Sequence, residues 1–169
     1  MPAIRPIVAA LAAAAAVAAG GAAYWAATAA EPVPSVPYTR LDGTRGDTGQ
    51  LSGKVTLINF WATSCVTCVK EMPQIVATHR KYQAQGYDTL AVAMSYDPPA
   101  YVARYAETRG LPFAVAIDNT GAIAKRFGDV QVTPTTLLVN RRGEIVKRFV
   151  GEPDFAELHK LVEKLLAEA

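Results

Sequence analysis

The chain is poor in the groups most catalytic sites are built from. It has two cysteines, two histidines and a net charge of only +2 over 169 residues. There is no block of five like charges, so nucleic-acid binding has no electrostatic footprint. Two cysteines cannot make the multi-bridge framework of a small secreted domain. One CxxC with two isolated histidines, His79 and His159, does not supply the four ligands of a structural zinc site. No Gly-rich phosphate loop, Ser-His-Asp arrangement or H-E-x-x-H appears, and nothing binds a nicotinamide or flavin. Both histidines are expected on helix surfaces or flanks.

Charge is also missing from the first thirty residues. Arg5 is the sole charged side chain before Glu31, and Pro6–Ala30 is an uncharged run. Residues 1–30 therefore read as a targeting unit that directs export of the rest of the chain. Two outcomes are open. About 20 apolar residues span a bilayer, and Tyr24–Trp25 sit where an interfacial anchor belongs; residues 6–25 would then hold the domain at the outer face of the cytoplasmic membrane. Alternatively, Ala27-Thr28-Ala29 is a small-x-small cleavage site near Ala29 that frees a soluble periplasmic protein. No cysteine stands at this junction to carry a lipid. Residues 31–37, with three prolines, read as an extended linker, and residues 38–169 as one domain large enough to bury a core.

Within the domain, hydrophobic patterning alternates between strands and helices. Val55–Phe60 is a nearly continuous apolar run, the mark of a central strand buried on both faces. A helix from Cys65 to about Gln85 comes next, with Val69, Met72, Val76 and Tyr82 as its apolar stripe, Pro73 kinking it and Gly86 ending it. Thr89–Ser95 and Phe113–Ile117 read as strands, 97–109 and 119–127 as helices. Arg141-Arg142-Gly143 turns a hairpin, and Pro153 opens a last amphipathic helix. The order means an α/β domain with a mixed sheet.

Cys65 comes after strand and loop and opens a helix, so backbone N–H groups and the positive helix end stabilise its thiolate. Cys68 lies one turn on along the same face, within disulfide range. Cys65 is thus the attacking sulfur and Cys68 the resolving one. A static staple is a poor alternative, because so short a loop removes little chain entropy.

The stretch Asn59-Phe60-Trp61-Ala62-Thr63-Ser64-Cys65-Val66-Thr67-Cys68-Val69-Lys70-Glu71-Met72-Pro73, with Val132-Thr133-Pro134-Thr135 downstream, resembles the TlpA/ResA-like thioredoxins. These are exported, often membrane-anchored thiol-disulfide oxidoreductases. The resemblance covers about residues 38–168. It implies a thioredoxin fold, with a mixed central sheet flanked by helices, a helix-strand insertion over about 97–117 and an N-terminal apolar helix. It implies a cis-proline at Pro134, a Thr133 backbone free to pair with substrate, and Trp61 as an aromatic of the substrate side. It also implies Glu71 as a proton-handling carboxylate beside the cysteines. Asn59 stands where thioredoxin has a titrating aspartate, which shifts that duty towards Glu71. Ser64 and the pair Val66-Thr67 depart from common relatives. The implied activity is reduction of disulfides in exported proteins, including an apocytochrome c CxxCH segment, with electrons from a membrane donor. Two other functions remain. A peroxidase of the peroxiredoxin kind is opposed by Ala62 and Ile58, which occupy the positions where that chemistry needs Thr/Ser and Pro. The other is a non-catalytic module that holds exported clients.

Overall fold

The computed structural model describes residues 31–168, so the expected N-terminal apolar helix lies outside the described residues. No described helix is long and apolar enough to cross a membrane.

Strand β4 (Val55–Trp61) is buried at all seven positions. It lies between β5 (Tyr87–Ala93), to which it is parallel, and β7 (Thr135–Val139), to which it is antiparallel. Strand β6 (Ala114–Ile117) extends the parallel half; β8 (Glu144–Val150) and the short β1 (Glu31–Pro32) extend the antiparallel half. The mixed sheet thus has the order β1-β8-β7-β4-β5-β6, and β2 (Pro37–Thr39) pairs with β3 (Arg45–Asp47) beside it. Parallel neighbours need crossovers. Helix α1 (Val66–Tyr82) supplies the one from β4 to β5, and α2 (Pro99–Arg109) the one from β5 to β6. The short α3 (Ala122–Arg126) precedes β7, and α4 (Phe155–Ala167) closes the domain, capped by the Asp154 carboxylate.

The pleat sorts the core into two layers. Val55, Leu57 and Trp61 of β4 pack with Met72, Ile75, Tyr82, Val102 and Val162 from the helices. Ile58 and Phe60 point the other way, towards Leu90, Phe127 and Leu137. Asn59 has the parity of Leu57 and Trp61, so it faces α1.

Two expectations are corrected here. The buried stripe of α1 is Cys68, Glu71, Met72, Ile75, Thr78, His79 and Tyr82, a regular three-and-four spacing that includes four polar or ionisable side chains; Val69 and Val76 are only half-buried. Apolar residues alone misplace the stripe because these polar groups find partners inside. His79 is buried, not on a surface: its Nδ1 lies 3.2 Å from Thr89 Oγ1, and its ring meets Tyr87 and Phe113 edge-on. His159 sits on the flank between α1 and α4, its Nε2 2.8 Å from Thr78 Oγ1.

Residues 31–37 are extended, as their prolines require, yet they lie on the domain. Glu31 and Pro32 pair with β8, Val33 N–H donates to Gly143 O, and Val36 is buried. An edge strand tolerates the missing proline donors.

Candidate active site

Three loops meet at one end of the sheet. Strand β4 ends at Trp61, and antiparallel β7 begins beside it, with Thr135 opposite Phe60. Past β5, Met94 N–H donates to Trp61 O. The turn 62–65, the loop 94–98 and the segment 132–134 are thereby brought together.

Cys65 leaves that turn with its N–H donated to Ala62 O at 3.1 Å. It is the N-cap of α1, in extended conformation, and its Sγ accepts the Cys68 N–H at 3.1 Å. Sulfur takes the place that Ser or Asp oxygen usually fills at a helix start. A thiolate there keeps that donor and the positive end of the helix. The two cysteines form a disulfide with Cα atoms 5.2 Å apart. Cys65 is half-exposed, while Cys68 is 0% exposed, so an incoming sulfur has access to only one of them.

One turn past Cys68, Glu71 is 0% exposed. Its Oε1 accepts from Asn59 Nδ2 at 3.0 Å, and the same amide donates to Thr136 Oγ1 at 3.0 Å. Oε2 has no partner among the described residues. Burial pushes the Glu71 carboxyl up to about 7, against the Asn59 hydrogen bond, which favours the charged form; the neighbouring Glu152 adds to the rise. Glu71 can therefore carry a proton near neutral pH. The reading of Asn59 as merely unable to titrate missed its part as the partner of that carboxyl. The available signal was a single amide in an otherwise apolar strand, with the parity that faces α1.

The Thr133–Pro134 peptide is cis. Pro134 is buried and its carbonyl accepts from Gly151 N–H. Thr133 is half-exposed and makes no backbone–backbone hydrogen bond among the described residues; its hydroxyl lies 3.2 Å from Tyr96 OH. Trp61 does not reach the surface. It is 0% exposed, with its ring 5.1 Å from that of Tyr105. It belongs to the core between β4 and the helices, which corrects its expected place on the substrate side. The exposed apolar side chains at this end are instead Val66, Tyr96 and Val132, at 83%, 57% and 54%.

A mixed sheet that delivers a CxxC disulfide to a helix N-terminus, at the sheet end where a cis-proline lies, defines a thiol-disulfide oxidoreductase of the thioredoxin fold. The family model described as Redoxin matches residues 28–165. The thiol-disulfide oxidoreductase ResA of Halalkalibacterium halodurans is 32% identical over 143 residues, covering 85% of this chain and 80% of the relative. ResA of Bacillus anthracis is 32% identical over 132 residues, covering 78% and 75%. Among solved structures, a Neisseria meningitidis protein named as a thioredoxin is 40% identical with a TM-score of 0.77, covering 83% of this chain and 93% of its own. A thiol:disulfide interchange protein from Chlorobium tepidum, 24% identical with a TM-score of 0.74 and covering 83% and 99%, shares the fold. The chain belongs to the redoxin family and, within it, to the TlpA/ResA-like thiol-disulfide oxidoreductases.

Proposed function

We propose that the protein reduces disulfides in exported client proteins, with Cys65 as the attacking and Cys68 as the resolving sulfur. The observation that carries this reading is the unequal pair: a half-exposed Cys65 whose sulfur already accepts a helix N–H, and a Cys68 sealed behind it. In the reduced protein the Cys65 thiolate attacks one client sulfur. A Cys65–client bond forms, the client S–S bond breaks, and the released sulfur takes a proton. Cys68 then gives its proton to Glu71, attacks Cys65 Sγ, and forms the intramolecular disulfide as the second client sulfur leaves and is protonated. Two electrons have passed to the client. The raised proton affinity of buried Glu71 supports its part as acceptor, and the same proton returns to Cys68 when the pair is reduced again.

An extended client segment runs past Thr133, whose backbone has no other partner among the described residues, with Pro134 facing the disulfide and Val66, Tyr96 and Val132 as an apolar rim. An apocytochrome c CxxCH disulfide is a client of the right chemistry. The charge-free run Pro6–Ala30 supports export, with residues 1–30 as anchor or cleaved signal and 31–169 as the working domain on the periplasmic side. Each turnover leaves the pair oxidised, and we assign its re-reduction to a membrane dithiol donor. The peroxidase and non-catalytic alternatives are not favoured: the relatives are thiol-disulfide oxidoreductases, and Cys65 is paired with a resolving partner one turn away.

The test is the equilibrium potential of the Cys65–Cys68 pair in glutathione or dithiothreitol buffers. A value near that of thioredoxin, roughly −270 mV, is expected of a reductant; one near that of DsbA, roughly −120 mV, would sink the reductase direction.

A further inference from the structure

The turn that presents Cys65 is gripped from outside by a carboxylate remote in sequence. Asp97 lies in the loop after β5 and is buried. Its Oδ2 accepts the Thr63 N–H at 2.6 Å, and its Oδ1 accepts the Thr63 hydroxyl at 2.5 Å. Both oxygens are therefore spent on one residue, two positions before Cys65. Hydrogen bonds to a carboxylate are the short, strong kind, and two of them fix position and twist together. Asp97 is itself held, with its N–H donated to Met94 O, while Met94 N–H donates to Trp61 O. The loop after β5 is thus stitched to the loop after β4 on both sides of Ala62, the residue whose carbonyl accepts the Cys65 N–H.

A rotation at Thr63 would swing Cys65 directly. What it would lose is the 3.1 Å contact from Cys68 N–H to Cys65 Sγ, the donor a thiolate needs. We propose that Asp97 is a positioning residue for the redox reaction: by clamping Thr63 it holds Cys65 Sγ in the helix-capping place where its thiolate is stabilised. The role rests on the reading of Cys65 as the attacking thiol. It differs from that of Glu71, which handles protons behind Cys68 and is reached through Asn59 on another face of the site.

The measurement is the ionisation of Cys65 in the full chain carrying Cys68→Ser, where Cys65 is the one thiol. Alkylation rate by iodoacetamide is tracked against pH, and thermal stability is recorded alongside. Two substitutions leave the charge unchanged: Thr63→Val removes the hydroxyl bond, and Asp97→Glu moves the carboxylate by one methylene. Glu71 and the Lys70–Glu152 pair, the other ionisable groups that α1 carries near the cysteines or bonds to, stay the same throughout. Each substitution is expected to cut the thiolate fraction at a fixed pH below the midpoint about three- to tenfold, and Thr63→Ser, which keeps the hydroxyl, is expected to stay within about twofold of the parent. If Thr63→Val does not fold, Asp97→Glu decides. Lower stability with an unmoved Cys65 midpoint in both would overturn the proposal and leave Asp97 as a structural staple. A reversed reactivity order, with Cys68 in a Cys65→Ser chain alkylated faster than Cys65, would instead overturn the attacking-thiol reading.

Discussion

The two ends of helix α1 bury similar side chains and leave them in different states. At the C-terminal end, Thr78 donates to Gln74 O and meets His159, His79 meets Thr89, and Tyr82 OH donates to Glu163. The Tyr87 hydroxyl and Arg141 Nε, whose guanidinium reaches Gln85 O, are the buried atoms there without a partner among the described residues. At the N-terminal end, Glu71 Oε2 and Asn59 Oδ1 are both buried without one. Buried polar groups are ordinarily satisfied, because leaving one unpaired costs about 1–3 kcal/mol. Beside the disulfide the spare capacity falls on a carboxyl and its amide partner, where a proton must come and go. The opposite end spends its polar groups on structure. Cavity size points the wrong way: a cleft of about 770 Å³ lies at the C-terminal end, lined by His79, Tyr87 and Phe113, whereas the disulfide sits on an open rim.

The contrast breaks or sharpens under substitution. The largest effect belongs to the cysteines. Cys65→Ser is expected to abolish reduction of a disulfide-bonded CxxCH peptide, and Cys68→Ser to accumulate a Cys65–peptide mixed disulfide visible by mass spectrometry. A trapped adduct on Cys68 instead would reverse the assignment.

Next comes Glu71→Gln, expected to slow turnover at neutral pH by about a hundredfold, within the usual range for a positioned proton carrier, and to remove an inflection near pH 7 from the rate profile. The sign for stability is opposite to that for activity. The folded carboxyl holds its proton up to about 7, the unfolded one only to about 4.5. Stability is therefore full below pH 4.5 and is lost as pH rises towards 7, by an amount on the order of 3 kcal/mol. Denaturant titrations across that window should show the fall in the parent and not in Glu71→Gln; equal slopes in the two would remove Glu71 from the account.

His79→Leu tests the other end. Loss of its hydrogen bond should cost about 1–3 kcal/mol of stability while the rate per folded molecule stays unchanged; a hundredfold rate loss would show that the two ends are not separate. Burial lowers the affinity of His79 for a proton. Its contribution is accordingly complete above its ordinary value near 6.5 and is lost as pH falls from there through its lower folded value, the reverse of Glu71. Smallest of all is Lys70→Ala, which removes a 3.0 Å pair with Glu152 whose lysine is largely exposed; calorimetry should find a change of about 0.5 kcal/mol or less.

Much of this was legible in the chain. The two-sided apolar run of β4, the helix read over 97–109 and the Arg141-Arg142-Gly143 turn fell within a few residues of the elements observed. Residues whose environment is set by a distant partner were less legible. Trp61 reads equally well as contact surface or core until Tyr105 covers it. His79 reads as a surface residue until Thr89, Tyr87 and Phe113 enclose it. The prolines of residues 31–37 announce extended backbone without saying that β8 will receive it.

By itself the sequence determined the redox pair, because three-residue spacing at a helix start fixes Cα separation, face and capping donor through local geometry alone. Only the tertiary structure decided that Glu71 is buried against an Asn59 amide that also bonds Thr136, and that Asp97 grips Thr63. The partners involved are 12, 77 and 34 residues apart in the chain, and a carboxyl's proton affinity depends on the solvent and dipoles that such contacts remove or supply.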